Sequence, residues 1–191
     1  MKIKATRCVG LTIVGLGMLV YANSLSGEFV WDDVSSILLH ETVQTPSAFL
    51  RLFQEDQHAY AGGQGNFYRP LLAFTFMIDF WLSYSGPTIA EAPDVVQDLS
   101  PLLFHLDSIL WHCLAALFLM LLLGNFQTPA IVQTSAPLIY VVHPLHTEAV
   151  AYMSGRADSM SAALMFAGLY CATRTRKEKR PWLTVTTVLA C

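Results

Sequence analysis

Residues 143–158, HPLHTEAVAYMSGRAD, are the part of this chain on which the interpretation of its fold depends, and they are here called the organising stretch. It gathers two histidines, two acids and one arginine between two runs that are otherwise apolar. An ionisable residue inside or beside a membrane span is costly unless it pairs with another group or lines a wet cavity. We therefore treat this stretch as a candidate functional site and place the remaining segments around it.

The composition around this stretch is that of an integral membrane protein. Of the 191 residues, 54% are hydrophobic and 13% are charged, whereas soluble domains carry roughly a quarter charged residues. The four cysteines lie in or beside apolar runs and form no C-x-x-C pair. We therefore expect neither a disulfide framework nor a cysteine metal site. The chain also has no basic patch of the kind that binds nucleic acid.

The apolar runs on either side of the stretch predict an all-α polytopic membrane protein. The first run could also be a signal peptide, but an uncleaved anchor is favoured because further spans follow. The last run is shorter than the roughly 20 residues that a spanning helix needs, so we expect the given sequence to end inside a helix. The predicted spans are 8–22, 102–123, 130–142 and 149–173, with 181–191 as the start of a fifth.

The basic residues predict the topology. Positive residues near the ends of spans mark the cytoplasmic side, and they cluster at residues 1–7 and 174–180. An even number of crossings between these clusters makes both cytoplasmic, and four spans satisfy that. The N-terminus is then cytoplasmic, and the outer loop 23–101 and the stretch 143–158 share the opposite side.

The outer loop 23–101 is strongly acidic. It holds ten of the 14 acidic residues against only Arg51 and Arg69. Within it, LLAFTFMIDFWL at residues 71–82 is too short to cross a bilayer and rich in aromatic residues. Such a segment is typical of a helix lying in the membrane interface. We therefore predict a juxtamembrane interfacial helix there.

Two features of the outer loop suggest chemistry. Asp32 and Asp33 are adjacent carboxylates that could serve as a general base or hold a divalent cation; a helix N-cap or a solvated turn is the structural alternative. Tyr68 and Arg69 introduce the interfacial helix. The guanidinium of Arg69 suits a lipid-linked phosphate, which it can hold through two parallel hydrogen bonds, and a salt bridge to a loop acid is the equal alternative.

The organising stretch itself begins as a helix would. Pro144 suits the first turn of a helix. If that helix continues, Glu148, Tyr152 and Arg156 share one face, while Asp158 points elsewhere. The alternative is a capped and hydrogen-bonded helix start without a functional role.

The histidines allow a metal hypothesis. His143, His146 and Glu148 offer zinc ligands, although their spacing differs from H-E-x-x-H and a proline interrupts the helix that would align them. His105 and His112 lie seven residues apart on the second predicted span. We interpret that pair as core histidines or interfacial anchors.

Four blocks of sequence together resemble a known family. They are GEFVWDDVSSI (27–37), YRPLLAFTF (68–76), FHLDSILWH (104–112) and HPLHTEAVAYMSGRADSMSA (143–162). This series resembles the transmembrane and tetratricopeptide-repeat O-mannosyltransferases, the TMTC family, and their bacterial relatives among the GT-C glycosyltransferases. The resemblance implies a GT-C-like N-terminal membrane region. Relatives usually carry Asn where this chain has Ser108, and they continue with more spans and a repeat region.

The resemblance also implies a reaction. The implied enzyme takes a sugar, typically mannose, from a polyprenyl or dolichyl phosphate and passes it to a protein hydroxyl on the lumenal or periplasmic side. Its partners are the lipid-linked sugar, an acceptor protein and membrane lipids. The implied location is the endoplasmic reticulum membrane in a eukaryote or the inner membrane in a bacterium. The resemblance implies no certain cofactor, and a divalent cation is a possible one.

The resemblance assigns roles to particular residues. An acid of the first outer loop serves in catalysis, which corresponds to Asp32 or Asp33, and Glu148 is expected to orient the acceptor or the sugar. The inferred partners of the donor phosphate are Arg69, His143, His146 and Arg156, with Tyr68, Tyr152 and Asp158 in support.

Two other functions compete with this one. A non-catalytic membrane scaffold subunit would keep the fold without the enzyme activity. A metal-dependent membrane hydrolase would use the histidines of the organising stretch. Since family members are longer, we expect the chain to be the N-terminal part of a larger protein.

Overall fold

The computed structural model describes residues 3–57, 67–84 and 99–178. All regular secondary structure in these ranges is helical, which confirms the predicted all-α class. The predicted fifth span at 181–191 lies outside the described residues. The α-helices are α1 (Ile3–Val20), α2 (Glu41–Gln44), α3 (Pro70–Ser83), α4 (Leu102–Asn125), α5 (Ala130–Val142), α6 (Thr147–Ala151) and α7 (Arg156–Glu178). Shorter elements are 3₁₀ helices at Ala22–Ser26, Pro46–Phe53 and Pro144–His146 and a π-helical turn at Val34–Leu38.

Helix α4 has the length and composition of a membrane span. A window of 18 residues within it has a mean hydropathy of 2.1. At about 1.5 Å per residue, its 24 residues exceed the ~30 Å hydrocarbon core. Within the described ranges no other helix meets both criteria. The apolar part of α1, Thr6–Val20, and the 13 residues of α5 are shorter. One crossing is therefore supported by the structure, and the four-span arrangement stays a prediction.

The chain forms two compact units. The first, here called the helical unit, comprises Met1–Ala22, Ser108–Ala151 and Gly155–Cys191. The second, the loop unit, comprises Asn23–Asp107 and Tyr152–Ser154. The loop unit therefore contains the described part of the acidic outer loop together with three residues of the organising stretch.

Close helix approach organises the helical unit, in which α1 packs against α5. Gly17 of α1 lies so near its neighbours that an added Cβ would collide with the sulfur of Cys113 and reach 3.2 Å from Cγ2 of Val141. Small residues permit this kind of backbone approach between membrane helices. Further along, the Asn125 amide donates a 2.6 Å hydrogen bond to the Thr173 hydroxyl and so joins α4 to α7.

Helix α3 supplies much of the core of the loop unit. It packs against α2 and the 3₁₀ helix Pro46–Phe53, and Phe76 and Phe80 on its buried face are almost fully enclosed. The Phe104 ring lies 5.3 Å from Phe29 and 6.3 Å from Phe76. The outer face of α3 stays apolar and exposed, as an interfacial helix requires, through Leu71, Phe74, Ile78, Trp81 and Leu82.

The helix of the organising stretch is interrupted. Helix α6 ends at Ala151 and α7 begins at Arg156. The continuous helix that would place Glu148, Tyr152 and Arg156 on one face is therefore not formed. The reason is a competing acceptor. The Ser154 amide donates a 2.9 Å hydrogen bond to the carboxylate of Asp33, and it is therefore not available to the helical carbonyl four residues earlier.

Candidate functional site

Asp33 is the anchor of the loop unit. Its side chain is only 1% exposed. One carboxylate oxygen, Oδ1, accepts hydrogen bonds from the Ser154 amide at 2.9 Å and from the Ser154 hydroxyl at 2.8 Å. The other oxygen, Oδ2, accepts from the Val30 amide at 3.2 Å. The carboxylate thus ties the turn 30–33 to the turn that separates α6 from α7.

The environment of Asp33 shifts its titration. Burial raises the pKa of this carboxyl above its ordinary value, and the hydrogen bonds from Ser154 and Val30 oppose that shift only in part. Desolvation disfavours the charged form of an acid, whereas donated hydrogen bonds favour it. Asp33 also precedes the helical turn Val34–Leu38 without making a side-chain cap. The N-cap alternative for this residue is therefore wrong. Its carboxylate instead connects Val30 to Ser154 through hydrogen bonds, and we call this arrangement the Asp33 clamp.

Asp32 differs sharply from its neighbour. It is exposed, and its backbone carries the contacts that hold it: its amide donates to the Tyr152 hydroxyl at 3.3 Å, and its carbonyl accepts from the Ser35 hydroxyl at 3.0 Å. Its carboxylate makes no hydrogen bond to any residue that the structure describes. Of the two adjacent acids, Asp32 therefore presents a free carboxylate to a ligand.

Two residues beside these acids were not singled out by sequence reasoning. Ser154 supplies both an amide and a hydroxyl to Asp33, and nothing in its local sequence indicates a partner 121 positions away. Trp31 stands directly before the acids, and its ring meets Tyr152 edge to face at 5.9 Å. Its position within the WDD triplet is the one signal that could have identified it.

A column of rings in the helical unit contains both predicted histidines of the organising stretch. His112 is fully buried, its Nε2 lies 3.3 Å from the Val141 carbonyl, and its ring stacks on Tyr140 at 5.0 Å. The His146 ring lies 5.0 Å from His112 and 4.5 Å from Tyr140. His143 continues the column at 6.0 Å from His146. The sequence interpretation of His112 as a core histidine agrees with its burial.

The two histidines of the organising stretch, His143 and His146, differ in exposure, since His143 is exposed and His146 is half-buried. The Nδ1 atom of the exposed His143 accepts a 3.2 Å hydrogen bond from the Leu145 amide, so a neutral ring carries its proton on Nε2. Burial and the neighbouring His143 lower the pKa of His146. The lowered pKa favours the neutral form of the His146 ring, which can donate one hydrogen bond and accept another.

The metal hypothesis is not supported by the geometry. Across the described residues no group of three or more His, Cys, Asp or Glu side chains is arranged to hold a metal ion. His143, His146 and Glu148 therefore do not form the predicted ligand set. Asp33 also has both oxygens engaged in hydrogen bonds, which leaves Asp32 without a second free carboxylate for a cation.

Arg156 does not lie where a surface ligand would. Its side chain is fully buried, and its Nε donates a 3.1 Å hydrogen bond to the Ser108 hydroxyl. Glu148 and Asp158 are exposed in the first turns of α6 and α7. An acid at that position complements the positive end of the helix dipole, which gives both residues a structural role beside any contact with a ligand.

Arg69 is open to a ligand. It is exposed, and its guanidinium carbon lies 5.4 Å above the ring of Phe67. It makes no ion pair with any described residue, so the salt-bridge alternative is not realised in this part of the chain. The neighbouring Tyr68 hydroxyl donates to the Phe53 carbonyl at 2.9 Å and fixes the entry to α3.

These features define a helical, membrane-associated chain in which an acidic loop exposes the free carboxylate of Asp32. Comparison with known proteins identifies a family to which the chain is similar. It is 34% identical over 159 residues to the human protein O-mannosyl-transferase TMTC1, which covers 80% of this chain. It is 30% identical over 171 residues to human protein O-mannosyl-transferase TMTC3, covering 86%. It is also 30% identical over 173 residues to protein O-mannosyl-transferase F38B6.6 of Caenorhabditis elegans, covering 87%.

These matches confirm the resemblance to the TMTC family that the four sequence blocks predict. The chain spans only 16%, 17% and 23% of the length of TMTC1, TMTC3 and the nematode protein, respectively. No family model matches the chain. No solved structure matches it either.

Proposed function

We propose that the protein carrying this chain is a glycosyltransferase that moves mannose from a polyprenyl- or dolichyl-phosphate donor to Ser or Thr hydroxyls of an acceptor protein. The names of the relatives, matched over at least four fifths of the chain, support the mannosyl transfer. This chain would form the N-terminal part of a polytopic, GT-C-like membrane region. The reaction would take place on the lumenal side of the endoplasmic reticulum or on the periplasmic side of a bacterial inner membrane.

The difference between the two adjacent acids carries the proposal. Both carboxylate oxygens of Asp33 accept hydrogen bonds within the loop unit, whereas the carboxylate of Asp32 is free. A general base must be able to approach the proton that it removes. We therefore assign Asp32 as the catalytic base and Asp33 as the residue that positions it.

The proposed step balances as a single displacement at the sugar. The Asp32 carboxylate takes the proton of the acceptor hydroxyl while that oxygen forms a bond to C1 of mannose. The bond between C1 and the phosphate oxygen breaks, and its electron pair leaves with the polyprenyl phosphate. No metal is needed in this balance.

The remaining predicted residues divide by accessibility. Arg69 of the loop unit is exposed, so we propose it as a partner of the leaving phosphate. His143 is exposed and His146 is half-buried in the helical unit, and their contact with the donor phosphate stays a prediction from the sequence. The guanidinium of Arg69 can bind phosphate oxygens in pairs, and His143 can donate from Nε2. Arg156 is buried against Ser108, and we propose that it supports the helical unit instead. Glu148 is proposed to orient the acceptor or the sugar.

The test is mannosyl transfer by the full-length protein in membranes. Asp32→Asn should lower kcat by roughly 100-fold or more, as loss of a general base does, while the amount of inserted protein stays unchanged. Glu41→Gln is the matched control, because Glu41 is an exposed acid of the same loop. It should leave transfer as it is.

The outcomes separate the competing assignments. If Asp33→Asn inserts well but loses transfer, while Asp32→Asn keeps full activity, then Asp33 and not Asp32 is the catalytic base. Full activity in both variants would rule out the proposed chemistry. A wild-type full-length protein that inserts correctly but transfers no mannose would favour the scaffold function.

A further inference from the structure

Trp31 has a backbone conformation that a tryptophan rarely adopts. Its φ is +48°, in the left-handed region that glycine enters freely and bulky residues avoid. Such strain persists only where the surrounding structure imposes it, and it concentrates at functional sites. Two features of Trp31 therefore need a physical explanation: what holds its backbone in this conformation, and why the side chain is a tryptophan.

The Asp33 clamp imposes the strain. The Asp33 amide donates to the Val30 carbonyl at 3.0 Å, and the Val30 amide donates back to the Asp33 carboxylate at 3.2 Å. This reciprocal pair closes a tight turn around Trp31 and Asp32. On its far side the Trp31 carbonyl accepts from the Val34 amide at 3.2 Å, so the backbone of Trp31 is held on both sides.

The strained turn leaves the ring of Trp31 exposed to solvent. The Trp31 side chain is 82% exposed, although burying an indole is strongly favourable. Its ring meets the Tyr152 ring edge to face, with centroids 5.9 Å apart and planes at 71°. Tyr152 is held in turn because its hydroxyl accepts from the Asp32 amide at 3.3 Å. The indole is thus supported at one side next to a free carboxylate.

We propose that Trp31, supported by Tyr152, is the platform on which the pyranose ring of the sugar donor stacks beside Asp32. This inference rests on the proposed function and names where the sugar is held. A pyranose has a face of C–H groups that packs on an aromatic ring, and hydroxyls that donate to a carboxylate. Trp31 and Asp32 offer these two partners on consecutive residues. A hydrocarbon chain would match the ring but not the adjacent charge, which is costly to bury without a partner.

The structure offers an unusual test, because glycine suits this backbone better than tryptophan does. Trp31→Gly removes the ring and relieves the strain, so the variant should fold and insert at least as well as the wild type. In the full-length protein its KM for a dolichyl-phosphate mannose donor should rise at least tenfold. Trp31→Phe keeps an aromatic face and should stay within about threefold of the wild-type KM. Trp81→Ala is the control, since Trp81 is also a highly exposed tryptophan of the loop unit.

A binding measurement separates this inference from the proposed function. A short-chain isoprenyl-phosphate mannose should change the tryptophan fluorescence of the wild type, and that change should be absent in Trp31→Phe although the donor still binds. Such a change in a protein that transfers no sugar would support the platform and count against the transferase. Normal transfer with an unchanged donor KM in Trp31→Gly would overturn the platform and leave the transferase standing. Brominated phosphatidylcholine vesicles could also quench the fluorescence of Trp31 in the absence of donor. Such quenching, combined with an unchanged donor KM in Trp31→Gly, would show instead that the ring lies in the bilayer interface.

Discussion

The hydrogen bond between Ser154 and Asp33 can be removed without touching the proposed catalytic acid. Ser154→Ala deletes the 2.8 Å bond from the hydroxyl to Oδ1 and retains the 2.9 Å bond from the amide. A hydrogen bond to a charged group contributes about 1.5–3 kcal/mol. Because about 1.4 kcal/mol corresponds to a factor of ten in population, the open form of the loop unit should become roughly tenfold to a hundredfold more populated.

Trypsin can measure this opening in the full-length protein. Arg51 and Arg69 are the basic residues of the outer loop 23–101, and trypsin does not cut the bond between Arg69 and Pro70. Arg51 lies in the 3₁₀ helix Pro46–Phe53, so cutting there requires local unfolding. When opening and closing are fast relative to cleavage, the rate follows the population of the open form.

The expected result is a tenfold or greater increase in the rate of cleavage after Arg51. Ser26→Ala is the matched control, since the Ser26 hydroxyl donates only to the nearby Asn23 carbonyl on the surface. That variant should be cut at the wild-type rate. Equal rates for Ser154→Ala and the wild type would refute the view that the Asp33 clamp stabilises the loop unit.

Two further predictions concern the helical unit. Gly17→Ala forces a Cβ against Cys113 and should destabilise the protein by about 1–3 kcal/mol, as overpacking does. The melting temperature in detergent measures this loss. Gly15→Ala is the control and should not lower the melting temperature, because its added Cβ meets no atom within 4 Å. Arg156→Lys should lower the melting temperature more than Ser108→Ala does, because an ammonium cannot reproduce the planar donor at the fully buried guanidinium. An Arg156→Lys variant as stable as the wild type would contradict the supporting role of this residue.

The exposure of Trp31 and the burial of Asp33 are two results of one arrangement. The clamp that occupies Asp33 also closes the turn that holds Trp31 at positive φ. A more stable sequence would place glycine at that position. Functional sites commonly retain strain that the rest of the structure compensates. The turn is therefore where we expect stability and activity to oppose each other.

Features that depend on local composition could be predicted from the sequence alone. The run of 24 residues in α4 is apolar enough to identify a span candidate without coordinates, and the acidic outer loop follows from counting charges. The four sequence blocks were sufficient to indicate the resemblance to the TMTC family, since each is a contiguous string. Helical class was also predictable, because apolar runs in a bilayer must satisfy their backbone hydrogen bonds internally.

Which of the two adjacent acids has a free carboxylate depends on contacts between distant parts of the chain. Asp32 and Asp33 are identical in type and share the same local sequence, so no pattern separates them. The distinction comes from Ser154, 121 residues away, which bonds to one carboxylate and not to the other. That same bond removes the Ser154 amide from the helix and separates α6 from α7. Hydrogen bonds between distant residues depend on where the chain brings them together, and local propensity contains no information about that.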